Sequence, residues 1–151
     1  MSNPRVIASL RFFRIVFRFV LPMGWAWFIF WISSTPVSPG IGANGTSLFD
    51  FLPRADLFAH FAVYLVFSWL VMLAVLPIKV CKPLNVSLHF AMPVIIAGVY
   101  GISMELVQDP IPNRTADALD VVADILGAMT TVVVAAGLWP KIKRLCDSIA
   151  A

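Results

Sequence analysis

Four apolar runs, each about as long as a bilayer is thick, leave this chain few folds to choose from. They fall at about 12–32, 57–76, 86–108 and 117–139, with the apolar part of the third ending near Met104 and that of the fourth opening near Val121. A helix needs about 20 residues, at about 1.5 Å each, to cross the hydrocarbon of a membrane. Within lipid every backbone N–H and C=O has to be bonded inside the segment, so runs of this length are helices. The expectation is an all-α fold, a four-helix transmembrane bundle forming one domain over 1–151. Composition agrees: 60% hydrophobic residues, 13% charged and a mean hydropathy of +0.91 are far from a water-soluble domain.

Where the few charges fall sets the topology. Arg5, Arg11, Arg14 and Arg18 precede or enter the first run, Lys79 and Lys82 follow the second, and Lys141, Lys143 and Arg144 follow the fourth. These nine lie on one side of a four-span bundle, and only Arg54 and Arg114 lie on the other. The positive-inside rule makes the nine-residue side cytoplasmic. Both termini are then inside (N-in, C-in), which describes a multi-pass protein of the cytoplasmic, or inner, membrane. The net charge of +3 follows from these topology determinants and calls for no nucleic acid. Cys81 and Cys146 fall on the reducing side and lack C-x-x-C spacing, so no redox or zinc signature is present. The first run is read as a retained anchor, because Ser33-Ser34-Thr35-Pro36 follows it and Trp25, Trp27 and Trp31 are bulky for a cleaved leader.

The connections differ in character. Segment 33–53 is punctuated by Pro36, Pro39, Gly40, Gly42, Gly45 and Pro53, and the apolar residues around Asp50 suit a short stretch in the outer headgroup layer. The inner loop at 77–85 is short, and the outer loop at 109–116 is tight, which makes the third and fourth helices antiparallel neighbours. Pro22 and Pro93 lie inside spans, where neighbouring helices tolerate a kink.

Seven of the eight carboxylates lie on the outer side. A charged group at bilayer depth costs roughly 2.5–3.5 kcal/mol on insertion scales, so those inside the spans need a reason. Asp56 and His60 are four apart and share a helix face; Glu105, Gln108 and Asp109 do the same at the end of the third helix. Asp120, Asp124, Gly127 and Thr131 form one stripe, polar at its outer end and small further in, and that stripe should pack into the bundle. Asp117 reads as a helix cap, with Asp56 capping the second helix in the same way. Asp124 lies too deep to cap, and it is either a hydrogen-bonded carboxyl joining helices or part of a site. His60 is open in the same way. Arg114 is positioned either to fork between two carboxylates or to receive an anionic ligand. His89, at the opposite side, is assigned no role.

Three segments together resemble the VanZ-like family of small membrane proteins. They are Asp56-Leu-Phe-Ala-His60-Phe-Ala-Val-Tyr64, then Gly101-Ile-Ser-Met-Glu105-Leu-Val-Gln108, then Arg114-Thr-Ala-Asp117-Ala-Leu-Asp120-Val-Val-Ala-Asp124-Ile-Leu-Gly127. The resemblance covers about 54–130, and the first helix fits by position. Leu57 stands where the family has Lys and Asp124 where it has Asn, so this cluster is more acidic and leaves room for a bound proton, a metal ion or another cation. The family is named for a protein associated with resistance to the glycopeptide teicoplanin, and the resemblance implies a cell-envelope protein without a defined reaction. The expectation is therefore a non-enzymatic protein that binds an envelope lipid or glycolipid-like component in an outward pocket of Asp56, His60, Glu105, Gln108, Arg114, Asp117, Asp120 and Asp124. Its partners would be membrane lipids, with no cofactor and no metal assigned. The alternatives are an accessory subunit of a larger membrane complex, with partner subunits along its aromatic surface, and a metal-assisted enzyme on a lipid-linked phosphate using Asp117, Asp120 and Asp124.

Overall fold

A computed structural model of the chain describes residues 4–36, 55–75, 86–112, 114 and 116–150. The fold is all-α, with helices α1 (Pro4–Ser34), α2 (Ala55–Val75), α3 (Val86–Gln108) and α4 (Ala118–Ala150). Among the described residues three stretches are long and apolar enough to cross a membrane, Ala55–Val75, Phe90–Gln108 and Ala118–Lys141, which is the character of a multi-pass membrane protein. α1, at 31 residues, is long enough to be the fourth of the expected spans.

Helix ends and membrane ends do not coincide. α2 and α3 begin and end close to where hydropathy puts them, whereas α1 begins at Pro4 instead of near residue 12, and α4 continues through Pro140 to Ala150 instead of stopping near 139. Hydropathy marks where lipid stops, and the arginines and lysines beyond that point are good helix formers. A proline in the first helical position adds a preset φ where no N–H partner is needed. The expected headgroup-level stretch around Asp50 and the inner loop at 77–85 lie outside the described residues.

α2 is the hub of the bundle. It packs on α1, α3 and α4; α4 also packs on α3, and α1 on α3, while α1 and α4 do not meet among the described residues. The core is built from Ile29, Tyr64, Phe67, Val71, Ala97, Met104 and Ala128. The closest approach is that of α4 to α2. A Cβ added at Gly127 would collide with the carbonyl oxygen of Phe61 and lie 3.0 Å from the Leu65 nitrogen, so only glycine lets these backbones touch. Next to it, Thr131 Oγ1 donates to the Leu65 carbonyl at 3.0 Å, and Ser68 Oγ donates to that of Ala128 at 3.4 Å. On the other flank, Trp25 Nε1 donates to the Val63 carbonyl at 3.0 Å and Tyr100 Oη to that of Ala26 at 2.6 Å. Such interhelical bonds average about 0.6 kcal/mol each within membranes and reach about 1.7.

The same contacts give the direction of α1. Arg18 Nη2 donates to the Leu73 carbonyl in the last turn of α2 at 2.9 Å, while Trp25 meets Val63, ten residues nearer the start of α2. At its far end Ile32 meets Arg114, just before α4 begins. α1 therefore runs antiparallel to α2 from residue 18 to residue 32, a depth of about 20 Å at ~1.5 Å per residue. The outer surface is lined by side chains such as Phe58, Val99, Leu106 and Val133, which lipid solvates without cost.

Replacing Gly127 with alanine forces two backbones apart, and the expected loss is about 1–3 kcal/mol, as for other overpacked contacts. Gly137 has nothing within 4 Å of its added Cβ. Thermal unfolding in detergent should show a lower midpoint for Gly127→Ala and none of that loss for Gly137→Ala.

Candidate functional site

The site begins with the short return from α3 to α4. Asp109 N donates to the Glu105 carbonyl, Ile111 N to that of Gln108 and Arg114 N to that of Ile111, a tight path that Pro110 and Pro112 suit. Asp117 then caps α4, its Oδ1 accepting from Leu119 N at 2.8 Å, as its position in the sequence predicts. The Asp117 backbone N–H donates in turn to Glu105 Oε2 at 2.9 Å. The last turn of α3 is thereby stitched to the first turn of α4.

Behind this stitch the acidic side chains converge on one imidazole. Glu105 and Gln108 on α3 and Asp120 and Asp124 on α4 are all buried, with Asp124 at 0% exposure. The predicted α4 stripe does face the bundle: Gly127 and Thr131 are buried below Asp124. His60 on α2 meets the stripe through both ring nitrogens. Nδ1 is 3.0 Å from Asp124 Oδ1, to which it donates when that carboxylate is ionised. Nε2 faces Asp120 Oδ2 at 3.6 Å, beyond hydrogen-bond reach. Asp124 rests on the backbone of α3, where a Cβ on Gly101 would lie 2.5 Å from Oδ2. That glycine makes the space the carboxylate occupies.

Three expected roles change. Asp56 lies within the first turn of α2, which begins at Ala55, so it supplies charge near the positive helix end but does not occupy the cap position. Gln108 turns away from the carboxylates and donates to Ser33 Oγ on α1 at 3.2 Å. Arg114 forks between carbonyls instead of carboxylates. Its Nη2 donates to Ile32 O at 2.8 Å and its Nε to Thr35 O at 3.2 Å, so it satisfies the open C-terminal end of α1. No carboxylate lies within ion-pair distance of Arg114 among the described residues.

The carboxylate cluster is consequently short of partners. Asp124 Oδ2, Asp120 Oδ1, Glu105 Oε1 and the hydroxyl of Tyr64 are buried and have no hydrogen-bond partner among the described residues. A buried neutral group left unmade costs about 1–3 kcal/mol, and a charged one more. His60, Glu105 and Asp120 each also bring a ligand-type atom to within 4.8 Å of the other two. Sequence reading paired His60 with Asp56 by spacing and assigned no metal. The three residues sit on three different helices, so no spacing in one dimension announces them. Tyr64, four residues after His60 on the same face, was the legible signal for the depth of the site.

Beside the cluster, between α1, α2 and α3, lies a cavity of about 240 Å³. Ile29, Ile32, Ala59 and Val63 form its apolar wall, and Ser33, Asp56, His60, Tyr64, Gln108 and Arg114 its polar one. Of the eight residues expected to form one pocket, Asp56, His60, Gln108 and Arg114 line this cavity, whereas Glu105, Asp117, Asp120 and Asp124 lie outside its wall. No family model, no curated protein and no solved structure matches this chain.

Asp124→Leu removes the acceptor of the His60 Nδ1–H and leaves a half-buried imidazole unpaired, a change expected to cost about 1–3 kcal/mol. Asp124→Asn keeps a carbonyl acceptor in the same place and should lose much less. Equal losses in equilibrium unfolding of the two variants would show that the hydrogen bond contributes nothing beyond packing.

Proposed function

We propose that this chain is a VanZ-like protein of the inner membrane that binds the anionic headgroup of an envelope lipid or glycolipid in the cavity between α1, α2 and α3, without catalysing a reaction. Both termini are cytoplasmic in this reading, and the carboxylate end of the bundle faces outward. The excess of nine basic residues over two supports that orientation. The antiparallel run of α1 along α2 fits an even number of crossings, with both termini on one side.

The cavity is the observation that carries the binding. At about 240 Å³ it has room for roughly eight waters' worth of volume, the size of a headgroup and far below that of a glycopeptide. One wall is apolar and suits the glycerol or first methylenes of a lipid, and the opposite wall carries the polar groups that fix orientation. Arg114 has five N–H donors and commits two to α1; those remaining suit a phosphate or carboxylate. An altered response to teicoplanin-type agents would follow from occupancy of an envelope lipid, in line with the resemblance of 54–130.

Native mass spectrometry after gentle extraction should show a co-purifying anionic lipid that Ala59→Phe, which fills the cavity, removes. Partner subunits bound to a protein with an empty cavity would replace this reading with that of an accessory subunit. The orientation has its own check. Asp109→Cys should react with a membrane-impermeant maleimide in intact cells whose outer barrier is opened, and Lys143→Cys only once the inner membrane is permeabilised.

A further inference from the structure

Three carboxylates face one imidazole inside this bundle, and the Arg114 guanidinium donates to α1 carbonyls instead of to them. Asp120 and Glu105 are 7% and 5% exposed, and each keeps one buried oxygen without a partner among the described residues. Tyr64, 2% exposed and on the cavity wall beside His60, likewise has a hydroxyl with no partner among the described residues. Nδ1 of His60 faces Asp124 at 3.0 Å, and the second ring nitrogen faces Asp120 at 3.6 Å. With Nδ1–H donated to Asp124, the second nitrogen has a lone pair to offer a cation set between it and the carboxylates.

From this geometry we infer that His60 Nε2, Glu105 and Asp120 hold a divalent first-row transition-metal ion of the zinc or manganese kind. Two donors on one tetrahedral ion, each about 2.0–2.2 Å from it, stand about 3.3–3.5 Å apart. The 3.6 Å between His60 and Asp120 is close to that, and the full set within 4.8 Å closes with side-chain shifts of the order of an ångström. Asp124 completes the arrangement as the carboxylate behind the histidine, fixing the tautomer and ring orientation that a ligand needs. The mixed nitrogen and oxygen donor set favours zinc or manganese over calcium or magnesium, which take oxygen alone. Three protein ligands leave a coordination position open, and His60 on the cavity wall puts that position within reach of whatever fills the cavity. The ion site differs from the set formed by Asp117, Asp120 and Asp124: Asp117 is spent on capping α4 and Asp124 on His60.

Protein stripped with chelator and titrated with Mn²⁺ alone should bind one equivalent, followed by electron paramagnetic resonance, with a nitrogen coupling from the imidazole. His60→Ala should abolish that coupling, and Glu105→Gln or Asp120→Asn should weaken binding at least tenfold. Asp109→Asn, a change on the exposed turn, should leave it intact, whereas Asp124→Asn, which replaces the carboxylate behind the ligand histidine by a weaker acceptor, should weaken it about tenfold. Absence of bound Mn²⁺ and of bound Zn²⁺ in folded wild-type protein overturns the inference, as does binding that survives His60→Ala without the nitrogen signal lost. Because Ala59→Phe leaves all three ligands in place, it should expel the lipid and keep the ion. Failure of lipid binding and failure of metal binding are therefore separate results.

Discussion

The bundle is organised around one buried carboxylate. Asp124 has no exposed surface, and the means of holding it there determine how three helices approach one another. α3 yields at Gly101, where the absence of a side chain makes the space for Oδ2. α2 supplies His60 to Oδ1 at 3.0 Å. One turn deeper, Gly127 brings the α4 backbone against that of α2, and Thr131 and Ser68 bond across the same seam. A larger residue at either glycine would move the helix that carries a partner of Asp124. Small residues and polar residues along α4 thus act as one device: closeness of the backbones makes the hydrogen bond to His60 possible, and that bond offsets the burial of charge.

Charge is handled at the helix ends by the same rule throughout. Arg18 covers the final turn of α2 and Arg114 that of α1, each donating to carbonyls that the helix itself cannot satisfy. Asp117 does the reverse for the opening of α4. These side chains come from a different helix, or from the turn between helices, so they join elements as well as terminating them. The consequence for the site is electrostatic. With Arg114 engaged on α1, the only basic side chain facing the carboxylates among the described residues is His60.

Much of the fold was legible because lipid removes alternatives. Four apolar runs gave four helices, and the i, i+4, i+7, i+11 stripe from Asp120 to Thr131 faces the interior as its period requires. Helix lengths were less legible at α1 and α4, since hydropathy reports the membrane and basic residues carry a helix past it. At the site, neighbours on one helix could be read, as with the capping by Asp117. Relations between helices could not. The pairing of His60 with Asp124, the turn of Gln108 toward Ser33 and the grip of Arg114 on α1 depend on rotations and heights that period alone does not give.

His60 couples the two halves of this end of the molecule. One of its faces belongs to the cavity, and its two nitrogens belong to the carboxylates. An anion entering the cavity therefore approaches a histidine already backed by Asp124 and flanked by Asp120, surroundings that repel it. Arg114, the one other basic side chain of that polar wall among the described residues, would have to outweigh that repulsion with donors partly engaged on α1. A divalent cation between Nε2 and the carboxylates reverses the sign of the field at that wall, so that anion and ion bind better together than apart. On that argument the Asp124 carboxylate behind His60 favours cation binding at the second ring nitrogen and through it supports an anionic headgroup in the adjoining space.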